Sequence, residues 1–126
     1  MEILLDTNFI ISCVKRKIDF NSLADEIIDE KIEWIVPFEV LNELEEISKR
    51  KGEKETDKLS AKIGLEMTKL IGAKIINVHN KNVDQGILDY IKGKNIVLAT
   101  MDKELKKKSL SKILTIVDIN QLELVG

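Results

Sequence analysis

The chain has 126 residues, 44% of them hydrophobic, and 20 Lys and Arg against 22 Asp and Glu give a net charge of −2. This length predicts a single domain over 1–126 whose core needs no metal or disulfide, and the lone Cys13 excludes both an intrachain disulfide and a cysteine zinc site. The charge balance excludes a uniformly basic surface, so any phosphate-binding patch must be local. An acidic N-terminal segment and the lack of an apolar run of about 20 residues predict a cytoplasmic protein without a membrane span.

Short apolar runs alternate with segments of helical spacing, which is typical of an α/β fold built on a buried parallel sheet. In the first half of the chain the pattern predicts a strand over 3–5, helices over 7–17 and 20–31, a strand over 32–36 and a helix over 38–49. Pro37 is expected in the first turn of the third helix, where proline is tolerated.

The second half continues the alternation after a polar turn at 52–55. A long amphipathic helix with apolar positions between Leu59 and Ile71 is predicted to end at Gly72. Strands over 73–78, 95–100 and 113–119 then alternate with helices over 83–92 and 102–108, and a tail at 122–125 could pair at a sheet edge. Trp34 and Tyr90 are single aromatic residues and are assigned to the core.

Acidic residues stand where predicted strands end. Asp6 follows the first strand, Asp84 opens the helix after the third, and Asp102 lies two residues beyond the fourth. Because ligands of open α/β sheets bind outside the carboxyl ends of the strands, we expect these aspartates at one rim. Among the glutamates of the 38–49 helix, Glu43 lies closest to the edge of the apolar stripe and is the fourth candidate.

Each acid also has a structural interpretation. Aspartate is a favoured helix N-cap, and a helical glutamate is usually solvated. The convergence of four carboxylates favours a cation-binding site instead, because the carboxylates repel one another unless a cation neutralises them. Oxygen ligands suit Mg²⁺ or Mn²⁺, and such a site hydrolyses phosphodiesters through an activated water.

Other chemistries lack their residues. His79 is the only histidine, which excludes a metal-free ribonuclease with a histidine pair and leaves this residue as a polar loop residue. No Walker phosphate-binding loop is present. Thr7 and Asn8 follow Asp6, so the acid pair of a receiver domain and the Asp-x-Asp of a haloacid-dehalogenase-like phosphatase are both missing.

Three segments in order, ILLDTN at 3–8, PFEVLNEL at 37–44 and ATMDKEL at 99–105, resemble the PIN-domain nucleases over nearly the whole chain. The resemblance implies a three-layer α/β/α PIN-like fold with a central parallel sheet of four or five strands. It also implies an endoribonuclease that depends on Mg²⁺ or Mn²⁺ and acts on RNA.

The resemblance assigns roles to residues by motif position. It implies that the catalytic and metal-binding acids are Asp6, Glu43, Asp84 and Asp102. Asn8 and Thr100 match polar residues that support these acids or contact the water of the metal. Many relatives carry two consecutive aspartates at the third motif, whereas this chain has Gln85 at the second place, which suggests weak activity or a single cation.

Within the family, the segments around Asp6 and Asp102 look more like the ribosomal-RNA-processing branch of archaea and eukaryotes. The toxin branch of toxin–antitoxin pairs is an alternative, and a catalytically weak module that docks RNA or protein is another. The resemblance implies a homodimer, and either ribosome-assembly factors or an antitoxin as partners.

A run of lysines follows Asp102 and could contact RNA phosphates: Lys103, Lys106, Lys107 and Lys108. The alternative is that they complement a helix dipole and solvate the surface.

Overall fold

Six strands and six helices make up the computed structural model, which describes residues 1–126. The strands are β1 (Glu2–Leu5), β2 (Glu33–Pro37), β3 (Lys74–Ile76), β4 (Ile96–Ala99), β5 (Ile113–Val117) and β6 (Gln121–Val125). The helices are α1 (Thr7–Lys15), α2 (Phe20–Ile27), α3 (Phe38–Lys49), α4 (Glu55–Leu70), α5 (Val83–Ile91) and α6 (Lys103–Lys108).

The strands form one sheet in the order β3-β2-β1-β4-β5-β6. The first five are parallel to one another, while β6 pairs antiparallel with β5. The expected sheet of four or five parallel strands therefore has a sixth, antiparallel strand at its edge. Only three residues, 118–120, separate β5 from β6, and a connection this short permits a hairpin but not a parallel crossover.

The sheet is covered on both faces, which confirms the predicted α/β/α fold. Alternate strand residues such as Ile3 and Leu5 belong to a core cluster that α1–α4 complete, while Leu4 and Leu98 belong to a second cluster under α5 and α6. Strands buried on both faces have continuous apolar sequences, which explains their prediction from short runs. None of the helices combines the length and apolar character that a membrane span requires.

Several local predictions need correction. Pro37 ends β2 and is the N-cap of α3 with φ −64° and ψ 139°, instead of lying in the first helical turn. The second helix ends at Ile27 because Ile28 is already extended. Trp34 is buried as predicted, but Tyr90 is only half-buried and holds the Lys94 ammonium 3.9 Å from its ring centroid.

Cys13 is buried, in agreement with its apolar sequence context. Burial raises the pKa of the Cys13 thiol to about 12, and the nearby Arg16 opposes this rise only in part. A thiol with so high a pKa is not a nucleophile at neutral pH.

Candidate active site

The strand order places the candidate site. β1 pairs with β2 on one side and β4 on the other, so the chain crosses over in opposite directions from the middle of the sheet. Such a switch point leaves a crevice at the carboxyl ends of the central strands. Asp6 follows β1 there and donates its backbone N–H to the Ala99 carbonyl at the end of β4, at 3.0 Å.

A cleft of about 340 Å³ opens at this rim. The four predicted acids all line it: Asp6, Glu43, Asp84 and Asp102. Asn8 lines it too, as do Thr7, Ser12 and two apolar residues, Ile11 and Ile47, whereas Thr100 lies beneath it and is fully buried. Two turns and two helices that are far apart in sequence thus bring their carboxylates to one opening.

Asp6 is the most buried of these acids, with 5% of its surface exposed. The Thr7 N–H donates to Oδ1 at 2.9 Å and the Thr100 hydroxyl donates to Oδ2 at 2.8 Å, so both carboxylate oxygens are fixed. Burial raises the pKa of Asp6 to about 6, and the charges of Asp84 and Glu43 add to the rise, whereas the two hydrogen bonds oppose it. A buried carboxylate without a countercharge is therefore present at the bottom of the cleft.

Asn8 and Thr100 connect the two central turns. Asn8 Oδ1 accepts from the Met101 N–H at 2.9 Å and lies 3.3 Å from Thr100 Oγ1, as a second acceptor within reach of the hydroxyl that donates to Asp6. Thr100 Oγ1 in turn accepts from the Asp102 N–H at 3.1 Å. These bonds fix the turn after β4 against the start of α1, and they set the distance between Asp6 and Asp102.

Asp102 is the N-cap of α6, as expected if it has a structural role. One carboxylate oxygen, Oδ1, accepts from the Glu104 N–H at 2.9 Å and the Leu105 N–H at 3.2 Å. The capping interactions use Oδ1 alone, and the residue lines the cleft as well. Capping and ligand binding are thus compatible at this residue.

Asp84 is not a cap, so that interpretation is wrong for this residue. Asn82 caps α5 and accepts from the Gln85 N–H at 3.1 Å, and Asp84 lies one residue inside the helix. Burial raises the pKa of Asp84, the Asp102 carboxylate raises it further, and Lys108 opposes the rise. The carboxylate is left for the cleft because the asparagine has taken over the capping role.

Glu43 reaches the cleft from α3, and Thr7 contacts it. The Thr7 hydroxyl donates to Glu43 Oε2 at 3.3 Å, which links the helix after β1 to the helix after β2. Thr7 was not predicted as a site residue, because a threonine at the start of a helix has no pattern that distinguishes it from an ordinary first-turn residue. Its position beside Asp6 was the only available signal.

The four lysines after Asp102 do not form one surface. Lys106 is half-buried and its ammonium donates to the Thr115 hydroxyl at 2.7 Å, on β5. Lys103 and Lys107 are exposed, and Lys108 faces a separate groove beside α5. A helix turns about 100° per residue, so consecutive lysines necessarily point in different directions.

The side chains that line the cleft offer the oxygen ligands that a hard divalent cation prefers. Every polar side chain at the opening offers oxygen, and Asp6 and Asp84 both have raised pKa values, caused by burial first and by neighbouring carboxylates second. No three Asp, Glu, His or Cys side chains lie close enough together to hold a metal ion by themselves. Mg²⁺ keeps several waters and binds through one or two carboxylates, so the oxygen ligands at the cleft fit this ion although they do not enclose it.

The parallel α/β/α sheet with acids at its switch point defines a class of protein, and comparison with known proteins identifies it. The model of the family described as PIN-like domain matches residues 3–122. The chain therefore belongs to the PIN-like domain family, as the sequence motifs predicted.

Individual proteins resemble the chain over most of its length. It is 31% identical to Ribonuclease VapC4 of Methanocaldococcus jannaschii over 121 residues. This alignment covers 95% of this chain and 91% of that protein. The PIN domain endonuclease Utp24 has the same fold, with a TM-score of 0.79 at 22% identity over 98% of this chain and 90% of that one. The structure of VapBC2 from Rickettsia felis, which is bound to a DNA fragment from its promoter, matches with a TM-score of 0.61 at 19% identity. The match covers 90% of this chain and 98% of that one.

Proposed function

We propose that this protein is a metal-dependent endoribonuclease that hydrolyses RNA phosphodiester bonds. The observation that carries the proposal is the group of four carboxylates around one cleft, with buried Asp6 at its base. Membership of the PIN-like family and the similarity to a protein named as a ribonuclease support it. In this proposal the metal-binding and catalytic acids are Asp6, Glu43, Asp84 and Asp102.

The residues around the cleft have different roles in this proposal. Asp6 is held by Thr7 and Thr100 and offers a carboxylate in a fixed position. Asp84 and Glu43 reach the cleft from two other helices and add negative charge around it. Mg²⁺ or Mn²⁺ supplies Lewis-acid activation of the attacking water and neutralises charge on the scissile phosphate when it is bound.

Asp102→Asn tests the proposal because it separates ligand binding from folding. Asparagine caps a helix about as well as aspartate, so we expect a loss of only about 0.5 kcal/mol in the free energy of unfolding. The charged oxygen is removed, so Mn²⁺ binding measured by calorimetry and cleavage of a structured RNA should fall together.

Asp19→Asn is the matched control. Asp19 caps α2 in a similar way, by accepting from the Ser22 N–H at 3.2 Å, but it does not line the cleft. This variant should bind Mn²⁺ and cleave RNA as the wild type does. Unchanged cleavage by Asp102→Asn would remove Asp102 from the site, and no cleavage by the wild type with either cation would leave the alternative of a docking module.

The biological role has two candidates. Processing of ribosomal RNA is favoured by the sequence around Asp6 and Asp102, and we propose it as the first. A toxin-type ribonuclease paired with an antitoxin is the second, and the 31% identity to Ribonuclease VapC4 favours it.

Expression in a bacterial host distinguishes these roles. A toxin should arrest growth, and the product of a small neighbouring gene should restore it. A processing enzyme should instead leave growth of the host intact, and its depletion in the native cell should make precursor ribosomal RNA accumulate.

A further inference from the structure

A second and larger concavity lies beside the cleft. This groove, the α5–α6 groove, has a volume of about 790 Å³ and runs between α5 and the segment that follows α6. Its floor includes Ile96 and Val97 at the start of β4. Because α5 runs from the carboxyl rim of the sheet to the opposite rim, the groove leads away from the candidate active site along one face of the molecule.

The charge of the groove is positive although the protein is acidic overall. Four lysines line it, Lys92, Lys94, Lys108 and Lys112, and Asp89 is the only acidic side chain among its lining residues. Asp89 accepts a hydrogen bond from the neutral Gln85 amide at 2.9 Å and keeps its charge, so four lysines face one carboxylate side chain. The whole chain has a net charge of −2, so this concentration of lysines is local, and it favours the binding of an anionic partner.

Consecutive residues at the start of α5 line the cleft and the groove. Asp84 lines the cleft and the next residue, Gln85, lines the groove. Helix α6 likewise begins after Asp102, which lines the cleft, and ends at Lys108, which lines the groove. An RNA chain that leaves the cleft past Gln85, whose amide carries no negative charge, would enter the groove that the lysines line.

We propose that the α5–α6 groove holds the phosphate backbone of a single RNA strand that extends from the cleft. This inference rests on the proposed function, and it adds the path of the substrate. No aromatic side chain lines the groove, so bases have no surface on which to stack, and binding should be independent of sequence. The position of the groove next to the cleft favours RNA over an acidic peptide as this partner.

The test measures binding without cleavage. A fluorescein-labelled single-stranded RNA of about 15 nucleotides is titrated with protein in EDTA at several salt concentrations. The wild type is compared with Lys92→Gln/Lys112→Gln, two groove positions far from the acids. Each lysine–phosphate interaction with a single strand accounts for about 0.7 of the salt slope, so we expect the double variant to decrease the slope by about 1.4 and to raise Kd about tenfold at physiological salt.

A matched control removes two lysines from the other side of the molecule. Lys62 on α4 and Lys74 on the far edge strand β3 are exposed and form no ion pair, so Lys62→Gln/Lys74→Gln changes the net charge equally. This variant should keep a slope and Kd closer to those of the wild type. Equal weakening of binding in both variants, or no RNA binding by the wild type, would overturn the groove assignment.

Cleavage with Mn²⁺ then separates this inference from the proposed function. Lys92→Gln/Lys112→Gln, the groove variant, should cleave the RNA of about 15 nucleotides poorly. It should cleave a dinucleotide as the wild type does, because a dinucleotide is too short to reach the groove. Groove-dependent binding without any cleavage by the wild type would refute the nuclease and leave the groove as an RNA site. Cleavage with equal efficiency by the wild type and the groove variant would refute the groove and leave the nuclease. Displacement of the RNA by an acidic peptide at lower concentration than by unlabelled RNA would show that the groove prefers protein.

Discussion

The Thr100 hydroxyl donates to Asp6 Oδ2 at 2.8 Å, although 94 residues separate the two in sequence. The bond joins the end of β4 to the end of β1, and Thr100 has no exposed surface. It opposes the rise in the pKa of Asp6 that burial causes. Thr100 thereby keeps the carboxylate of Asp6 closer to its ionised form, the form that binds a cation.

Thr100→Val tests this relationship with an isosteric side chain. Loss of the hydroxyl should raise the pKa of Asp6 above 6 and shift the pH midpoint of Mn²⁺ binding upward. It also leaves the Asp102 N–H without its acceptor, which should cost about 1–3 kcal/mol of unfolding free energy. Calorimetric titration across neutral and mildly acidic pH measures the midpoint. Thr68→Val removes another buried hydroxyl, bonded to the Leu65 carbonyl within α4, and should leave the midpoint unchanged.

Asp6→Asn should stabilise the protein while it removes the proposed metal ligand. Between pH 3.8 and about 6, folded Asp6 keeps a proton that unfolded Asp6 has released. The free energy of unfolding therefore falls as the pH rises through this window, and wild type loses up to about 3 kcal/mol relative to the variant. Asparagine can still accept from the Thr7 N–H and donate to Thr100, whose hydroxyl then donates to Asn8.

Urea unfolding in EDTA measures this difference. Asp6→Asn should be more stable than the wild type above the raised pKa, at about pH 7.5, and the two should converge below the unfolded pKa, at about pH 3.5. Addition of Mn²⁺ should stabilise the wild type alone, because a ligand stabilises only the chain that binds it. A variant less stable than the wild type at the higher pH would contradict the raised pKa of Asp6.

Thr7→Val tests whether the Thr7 hydroxyl orients Glu43. The hydroxyl donates to Glu43 Oε2 at 3.3 Å, so its removal frees an exposed side chain to rotate. We expect about a tenfold weaker affinity for Mn²⁺, the usual effect of losing a group that orients a metal ligand. Thr7→Ser keeps the hydroxyl and should restore the affinity. Equal weakening in both variants would indicate loss of packing instead of loss of orientation.

Gly86→Ala tests how α5 is positioned. A Cβ at Gly86 would lie 2.7 Å from Val78 Cγ2 and 3.0 Å from Asn80 Cβ, so the helix must move outward with Asp84. Overpacking of this kind costs about 1–3 kcal/mol, and we expect weaker Mn²⁺ binding in addition.

Gly64→Ala is the control for Gly86→Ala. Its Cβ would lie 2.6 Å from Ile10 Cγ2 on α1, and we expect α4, which contributes no residue to the cleft, to move away from α1. Thermal unfolding should show a similar loss of stability in both variants. Mn²⁺ titration below the unfolding temperature should show a weaker affinity only for Gly86→Ala.

The alternation of strands and helices was predictable from the sequence, because burial on both faces of a parallel sheet leaves continuous apolar runs such as Ile96–Ala99. The sequence also placed Asp6, Asp84 and Asp102 after strands, since strand ends are readable from local composition. The family followed from short motifs in order, and the match over residues 3–122 confirms it.

The order of the strands in the sheet was not predictable from the sequence, because an apolar run indicates that a strand is buried but not which strand it pairs with. The pairing of β1 with β4 created the Asp6–Thr100 bond, and the antiparallel β6 completed an edge that sequence left undefined. The capping of α5 by Asn82, which frees Asp84, and the separation of Lys106 from Lys108 depend on side-chain directions that packing sets. Such long-range contacts have no local period, so the sequence predicted which chemical groups meet at the rim and only the fold decided how they face one another.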